Sequence, residues 1–222
     1  MNISRVHICT GGRLDVFPVR KENELIIGVD GGALALLDRG ITFDLAVGDF
    51  DTIGDIGVER IREAGVRLES YSAEKDATDT EIALDLAFSY HPEEIVIYGA
   101  LGSRMDHTLA NLQLLIKGHQ AGIWTVIRGY HNEICLLSDR FPSCKVNRGP
   151  FAYVSLLPLS MQVTGVTLSD FLYPLDNHTL ELGSTLGMSN QLCKESGAIS
   201  IKSGFLYVLQ ARDVPRSAAH DS

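Results

Sequence analysis

Long apolar runs are missing from this chain. None approaches the roughly 20 residues that a membrane-spanning helix needs, so a helical membrane protein is excluded. Positive charge is also scarce, with 19 Lys and Arg against 28 Asp and Glu, a net charge of −9. That balance argues against nucleic acid or an anionic membrane as the main partner. It leaves ATP open, because a bound cation reverses the sign of a carboxylate site. Cysteine is sparse: Cys9, Cys135, Cys144 and Cys193 are scattered, with no CxxC spacing. A zinc site or a CxxC redox motif is therefore excluded, and reduced core thiols are expected. The P-loop pattern GxxxxGK[ST], the GxGxxG fingerprint and the HRD/DFG kinase set are all absent. So is a nucleophile elbow with ordered Ser, His and Asp partners. The opening Met1-Asn2-Ile3-Ser4-Arg5 leads toward a strand and lacks the pattern of a signal peptide. Cytoplasm is the expected location.

What is present is an ordinary globular composition, 45% hydrophobic over 222 residues. That length accommodates two modest domains. The first half alternates short β-rich runs with helical patterns. Strands are expected at Val6 to Cys9, Leu25 to Val29, Leu45 to Val47, Val66 to Tyr71, Ile95 to Tyr98 and Trp124 to Arg128. Helices are expected at Ala33 to Arg39, Val58 to Ala64, Thr78 to Tyr90 and Asp106 to Lys117, the last stopped by Gly118. Such alternation implies βαβ units in an open, mostly parallel α/β sheet. From about Gly129 the helical period disappears. Phe151 to Leu156, Thr179 to Leu182, Ala198 to Ile201 and Phe205 to Leu209 are short runs divided by Gly, Pro, Ser and Asn. They predict a small antiparallel β-sandwich. The expected division is an α/β domain over 1–128, a sandwich over 129–213 and a frayed tail over 214–222.

In an open α/β sheet, ligands bind beyond the carboxyl ends of the strands. Asp30 follows one expected strand, Asp49 and Asp51 the next, and Asp106 a fourth, while Asp79 opens a helix on the same edge. Five carboxylates on one rim would repel each other unless a cation lies among them. In Gly48-Asp49-Phe50-Asp51, an extended chain would send Asp49 and Asp51 to one face and Phe50 to the other. Two hard oxygen donors so placed suit Mg²⁺. In Lys75-Asp76-Ala77-Thr78-Asp79-Thr80-Glu81, Thr78 and Glu81 form a capping-box pattern. It would hold Asp79 rigidly as a ligand, with Lys75 in reach of a phosphate. A plain helix start explains the same residues. Gly99 to His107 offers a glycine-containing loop before a helix N-terminus, a setting for polyphosphate. There Arg104 can fork onto phosphate oxygens, Asp106 can bind metal or orient Arg104, and Asn111 lies a turn beyond His107.

Taken in order and spacing, these motifs resemble thiamine pyrophosphokinase, particularly the bacterial form. The resemblance runs through Asp30-Gly31-Gly32-Ala33, Gly48-Asp49-Phe50-Asp51-Thr52, Lys75 to Glu81, Gly102-Ser103-Arg104-Met105-Asp106-His107, Asn111 and Gly187-Met188-Ser189-Asn190. Ser103 stands where the family often has glycine. The resemblance implies an α/β catalytic domain followed by a small β-sandwich. It implies transfer of a pyrophosphoryl group from ATP to the hydroxyethyl arm of thiamine, with release of AMP. It also implies a homodimer with active sites between subunits. By the same resemblance, Asp49, Asp51 and Asp79 match the magnesium-site acids. Asp30, Lys75, Arg104 and Asp106 match nucleotide and phosphate contacts, in motifs that include Gly31, Thr78 and Asn111. Asp49, Asp51, Asp79, Arg104 and Asp106 then carry the catalysis. Ser189 and Asn190 match the segment that approaches the thiamine pyrimidine. The rival readings are a pyrophosphokinase of the same design for another alcohol, such as a hydroxymethylpterin, a phosphatase of the aspartyl-phosphate type, and a non-catalytic nucleotide or thiamine sensor.

Overall fold

The computed structural model describes residues 3–71 and 76–213. Lys75 and the expected frayed tail lie outside the described residues. The chain divides into two compact units, Met1–Tyr130 and His131–Ser222.

Among the described residues, the first unit is built on six parallel strands and four helices. In chain order the strands are β1 (Arg5–Cys9), β2 (Glu24–Val29), β3 (Leu45–Gly48), β4 (Arg67–Ser70), β5 (Glu94–Tyr98) and β6 (Trp124–Arg128). Their spatial order is β4-β3-β2-β1-β5-β6. The chain thus winds outward from β1 to β4, then returns to lay β5 on the other side of β1. Four helices accompany them: α1 (Gly31–Asp38), α2 (Gly54–Glu63), α3 (Asp79–Phe88) and α4 (Met105–Ala121). The central strands are apolar and buried on both faces: in β1, Val6, Ile8 and Cys9 are fully buried. That is the signature of a parallel sheet covered on both sides. On one face, α1 and α2 contribute Ala33, Leu36 and Ile61 to a core with Cys9, Ile26, Ala46 and Tyr98. Helix α3 packs across β1, β2 and β3 and touches α4, which packs on β6.

The order of strands defines where a ligand can sit. Strand order reverses between β1 and β5, so the loops after these two strands diverge and leave a crevice at their carboxyl ends. Thr10-Gly11-Gly12 follows β1, and Gly99 to Arg104 follows β5 on its way to α4. The Thr10 N–H still donates to the Tyr98 carbonyl at 2.9 Å, closing the seam below the rim.

The second unit is antiparallel throughout. Strands β7 (Asn132–Leu137), β13 (Leu206–Ala211) and β9 (Tyr153–Pro158) form one three-stranded arrangement, with β13 in the middle. Strands β11 (Leu175–Glu181), β10 (Gln162–Ser169), β12 (Ser196–Ser200) and β8 (Ser143–Asn147) form the other in that order. The buried rows Val154, Leu156, Leu206 and Val208 on one side and Val146, Val163, Leu168 and Ile199 on the other supply the core. This is the small sandwich that the alternating runs predict. Among the described residues no helix is long and apolar enough to cross a membrane.

Candidate active site

Parallel pairing sets the site. Val29 of β2 lies beside Val47 of β3, so the residues just beyond, Asp30 and Gly48, emerge together at the carboxyl rim. The Asp30 N–H donates to the Val47 carbonyl at 3.0 Å, and the Asp30 carbonyl accepts from Ala33 at 2.9 Å to start α1. Asp30 meets both demands in a sparsely populated conformation, φ 45° and ψ −119°. Beside it, Phe50 has φ 62°, a genuine outlier for a bulky residue. Its ring is nevertheless seated in the core, 6% exposed, and its N–H donates to Asp30 Oδ1 at 3.2 Å. Strain of this kind persists where surrounding structure over-determines it, and it clusters at functional sites. Gly48 is needed for the same approach: a Cβ there would lie 1.9 Å from Asp30 Oδ1.

Helix α3 brings the third acid. The Thr78 hydroxyl caps it by accepting from the Glu81 N–H at 3.2 Å, which places Asp79 in the first turn. The N-terminal end of the helix dipole favours negative charge there. One carboxylate oxygen each from Asp30, Asp49 and Asp79 all lie within 4.8 Å of one another. Half-burial first, and then the charges of Asp79 and Asp49, push the Asp30 carboxyl up to about 6. Three crowded, half-buried carboxylates form a donor set that fits a hard divalent cation, which would relieve both repulsion and desolvation. At the rim such a cation polarises phosphoryl oxygens and offsets polyphosphate charge.

Not all of the rim acids join this group. Asp51 is exposed, because the positive φ at Phe50 turns the chain and breaks the extended geometry that would align Asp49 with Asp51. The Asp51 N–H donates to Asp49 Oδ1 at 3.2 Å, and its carboxylate accepts from the Thr52 hydroxyl at 3.0 Å. Asp106 is also exposed and is engaged by Arg104 through contacts of 2.6 and 3.3 Å. The Arg104 guanidinium, together with the His107 N–H, holds the Asp106 carboxyl below its usual range. This pair stands at the start of α4, after the β5 loop, with Arg104 exposed and its fork engaged by Asp106. Asn111, one turn further along α4, donates to the Ala100 carbonyl at 2.9 Å and fixes that loop. Gly31 opens α1 directly behind Asp30.

Of the Ser189-Asn190 pair in the second unit, Ser189 is exposed, with φ 55°, and its N–H donates to the Ser155 hydroxyl at 3.0 Å. Asn190 is 6% exposed. Its amide accepts from Tyr173 and Gln191 N–H groups at 3.1 and 2.9 Å and donates to the Tyr173 carbonyl at 2.7 Å. The Asn190 side chain is therefore occupied in holding the segment to the chain at Tyr173. Asp30, expected among the nucleotide contacts, stands in the same group as Asp49 and Asp79. Its place beside Gly48 depends on β2 and β3 being neighbours, and strand order is not written locally.

An α/β sheet with clustered acids at its carboxyl rim, followed by a small sandwich, places the chain in the class of two-domain α/β proteins that bind ligands at the carboxyl ends of their strands. The comparisons narrow the class to one family. Residues 18–127 match the family model described as "Thiamin pyrophosphokinase, catalytic domain", and residues 143–206 match "Thiamin pyrophosphokinase, vitamin B1 binding domain". The chain is 37% identical over 212 residues to thiamine pyrophosphokinase of Bacillus subtilis strain 168, covering 94% of this chain and 99% of that one. The crystal structure of thiamine pyrophosphokinase from Bacillus subtilis superposes with a TM-score of 0.87, covering 95% of this chain and all (100%) of that one at 36% identity. That from Geobacillus thermodenitrificans gives 0.84 at 33% identity, covering 95% and 99%. The chain belongs to the thiamine pyrophosphokinase family.

Proposed function

We infer that the chain transfers the pyrophosphoryl group of ATP to the hydroxyethyl group of thiamine, giving thiamine diphosphate and AMP. The observation that carries this reading is the convergence of Asp30, Asp49 and Asp79 at the carboxyl rim, in a chain whose second unit matches a vitamin B1 binding domain. The α/β domain over 1–128 holds ATP and the metal, and the sandwich over 129–213 supplies the thiamine pocket. Asp30, Asp49 and Asp79 would hold Mg²⁺, with Asp51 on the adjoining turn. Mg²⁺ is the fitting ion because it keeps waters and shares its shell between one or two carboxylates and phosphates.

The residues of the chain then divide the work. Displacement at the β-phosphorus by an alcohol needs positioning and charge neutralisation more than covalent help. Arg104, oriented by Asp106, stabilises negative charge on the polyphosphate. Lys75 serves the same end from outside the described residues. Gly31, Thr78 and Asn111 shape the backbone that faces the nucleotide. Ser189 meets the aminopyrimidine of thiamine, and Asn190 holds the segment that presents it. The enzyme works in the cytoplasm as a homodimer.

The test is a direct assay. Protein, thiamine, ATP and Mg²⁺ are incubated and the nucleotides and thiamine esters are resolved. Equal amounts of thiamine diphosphate and AMP are expected. Formation of ADP with thiamine monophosphate, or turnover of a hydroxymethylpterin in preference to thiamine, would replace this reading.

A further inference from the structure

Cys135 and Cys144 take no part in the site described above. Cys135 lies in β7 and Cys144 in β8, strands on opposite sides of the sandwich. A short turn joins them, closed by the Ser138 N–H donating to the Phe141 carbonyl at 3.1 Å. Cys135 sits opposite Val208 on β13, and Cys144 opposite Ile199 on β12. Val208 and Ile199 are 1% and 0% exposed. Directly paired residues share a face, so both thiols project inward from facing sheets. Both are free thiols, and each shifts the ionisation of the other. Elsewhere, Cys9 is buried and Cys193 is exposed.

We propose that Cys135 and Cys144 are a dithiol site that a low-molecular-weight disulfide, of the glutathione class, converts to a disulfide stapling the two sheets of the sandwich.

The two sulfurs have different roles. Both thiols are partly exposed, and Cys144 lies on β8, the edge strand of its sheet, where an incoming disulfide has the open approach. The neighbouring Cys135 thiol holds the Cys144 thiol below its ordinary range. The Cys144 thiol, and then burial, push Cys135 well above its own. Cys144 is accordingly the attacking thiolate. Its sulfur attacks one sulfur of oxidised glutathione, the glutathione S–S bond breaks, and one glutathione leaves and takes up a proton. The product is a mixed disulfide on Cys144. Cys135 then loses its proton and attacks Cys144 Sγ, forming the Sγ–Sγ bond and expelling the second glutathione. In sum, two protein thiols and one glutathione disulfide become one protein disulfide and two glutathione thiols. Excess reduced glutathione reverses the sequence. By contrast, Cys9 lies alone in the core, its thiol pushed up to about 12 by burial, and is inert to such exchange.

The test treats the full chain with oxidised glutathione, blocks remaining thiols after denaturation, and reads intact mass and cross-linked peptides. A Cys135–Cys144 cross-link is expected in the wild-type chain, reversed by dithiothreitol, and retained when Cys9 and Cys193 are both changed to serine. Cys135→Ser should instead accumulate glutathione on Cys144, because the resolving thiol is gone. Full alkylation of both Cys135 and Cys144 in the treated wild-type protein would overturn the proposal. So would glutathione lodged stably on wild-type Cys144 without a cross-link. A thermal melt of the wild-type chain supplies a further readout: the oxidised form should melt higher than the reduced form, as a closed loop restrains the unfolded chain. A lower melting point would show that the bond strains the sandwich and would count against the staple.

Discussion

At Phe50 the chain trades local comfort for the position of its neighbours. A φ of 62° costs of order 1–3 kcal/mol for such a residue, yet it buries the ring while turning Asp49 toward Asp30 and Asp79. The rim acids themselves were legible in the sequence, because Asp after a strand is a local pattern. Their grouping was not, because it depends on the turn at Phe50 and on β2 lying beside β3. Asp49→Asn and Asp79→Asn should each lower turnover at least ~100-fold at limiting Mg²⁺, the size of loss that follows removal of a preorganised charge. Asp51→Asn, outside the three-acid group, should lose less and recover more when Mg²⁺ is raised. Thermal unfolding should change little in all three variants, since these side chains add little to the core. A loss at Asp51 exceeding that at Asp79 would mean that the exposed turn, and not α3, supplies the principal ligand. His7 is 3% exposed, and its ring nitrogens meet Tyr98 Oη at 3.2 Å and Glu24 Oε2 at 3.1 Å. Burial lowers its pKa from the ordinary 6.5 despite the Glu24 carboxylate. The unfolded chain therefore takes up a proton that the folded chain refuses, and stability is lost as pH falls through 6.5. Glu24, held below its ordinary value by His7, the Lys21 N–H and Arg5 against the effect of burial, adds a loss of the same sign at lower pH. Urea midpoints should fall between about pH 7 and pH 5 in the wild-type chain and fall less steeply in His7→Gln. Identical slopes would exclude His7 as the cause.

Helix α4 shows what a sequence can and cannot say about an element. Its start is marked locally, by the glycine loop and Arg104-Met105-Asp106, but Gly118 reads as its stop. The helix instead continues to Ala121 and ends at Gly122, which takes the left-handed conformation with φ 74°. Gly118 serves packing: a Cβ there would lie 2.2 Å from Thr125 Oγ1 and 3.1 Å from the Ile123 carbonyl. Helix propensity alone would make Gly118→Ala stabilising by roughly 1 kcal/mol. The contact with β6 reverses the sign, and a loss of about 1–3 kcal/mol is expected, in line with overpacking of a close-packed core. The urea midpoint decides between the two, and a gain in stability would show that α4 can shift away from β6 at little cost. Strands of the second unit were harder to read. Strand β10 carries glycine at Gly165 and two register shifts, which break the alternation that marks a strand. Strand β8, SCKVN, buries only Val146, too little apolar content to stand out. The α/β alternation of the first half survived because β1, β2, β3, β5 and β6 are apolar and buried on both faces, while β4, which buries no residue, is marked by Gly65 before it.

The charge of −9 sets a condition on how whole chains meet. Like-charged copies repel at long range, so a stable pair needs apolar surface to offset that repulsion. The second unit displays such surface. Tyr173 is 70% exposed and Leu172 52%, both on the segment that Asn190 anchors, while Met161 at 75% and Leu182 at 51% are joined by a backbone hydrogen bond of 3.0 Å. Large apolar side chains are unfavourable in water unless a partner covers them, at about 25 cal/mol per Å² buried. The homodimer proposed for this chain would provide that cover. Light scattering or sedimentation on dilute protein should accordingly return a mass of twice 24.2 kDa. Raising salt should tighten the pair, because screening weakens repulsion between the acidic copies without weakening apolar burial. Leu172→Glu with Tyr173→Glu should shift the protein toward monomer by adding charge to a surface that must become dry. Tyr173 is bonded to Asn190, in the segment proposed to meet thiamine, so the same variant should lose activity more steeply on dilution than the wild-type chain. A wild-type protein that is fully active as a monomer at all dilutions would remove the dimer from the proposal and leave each chain to close its own site.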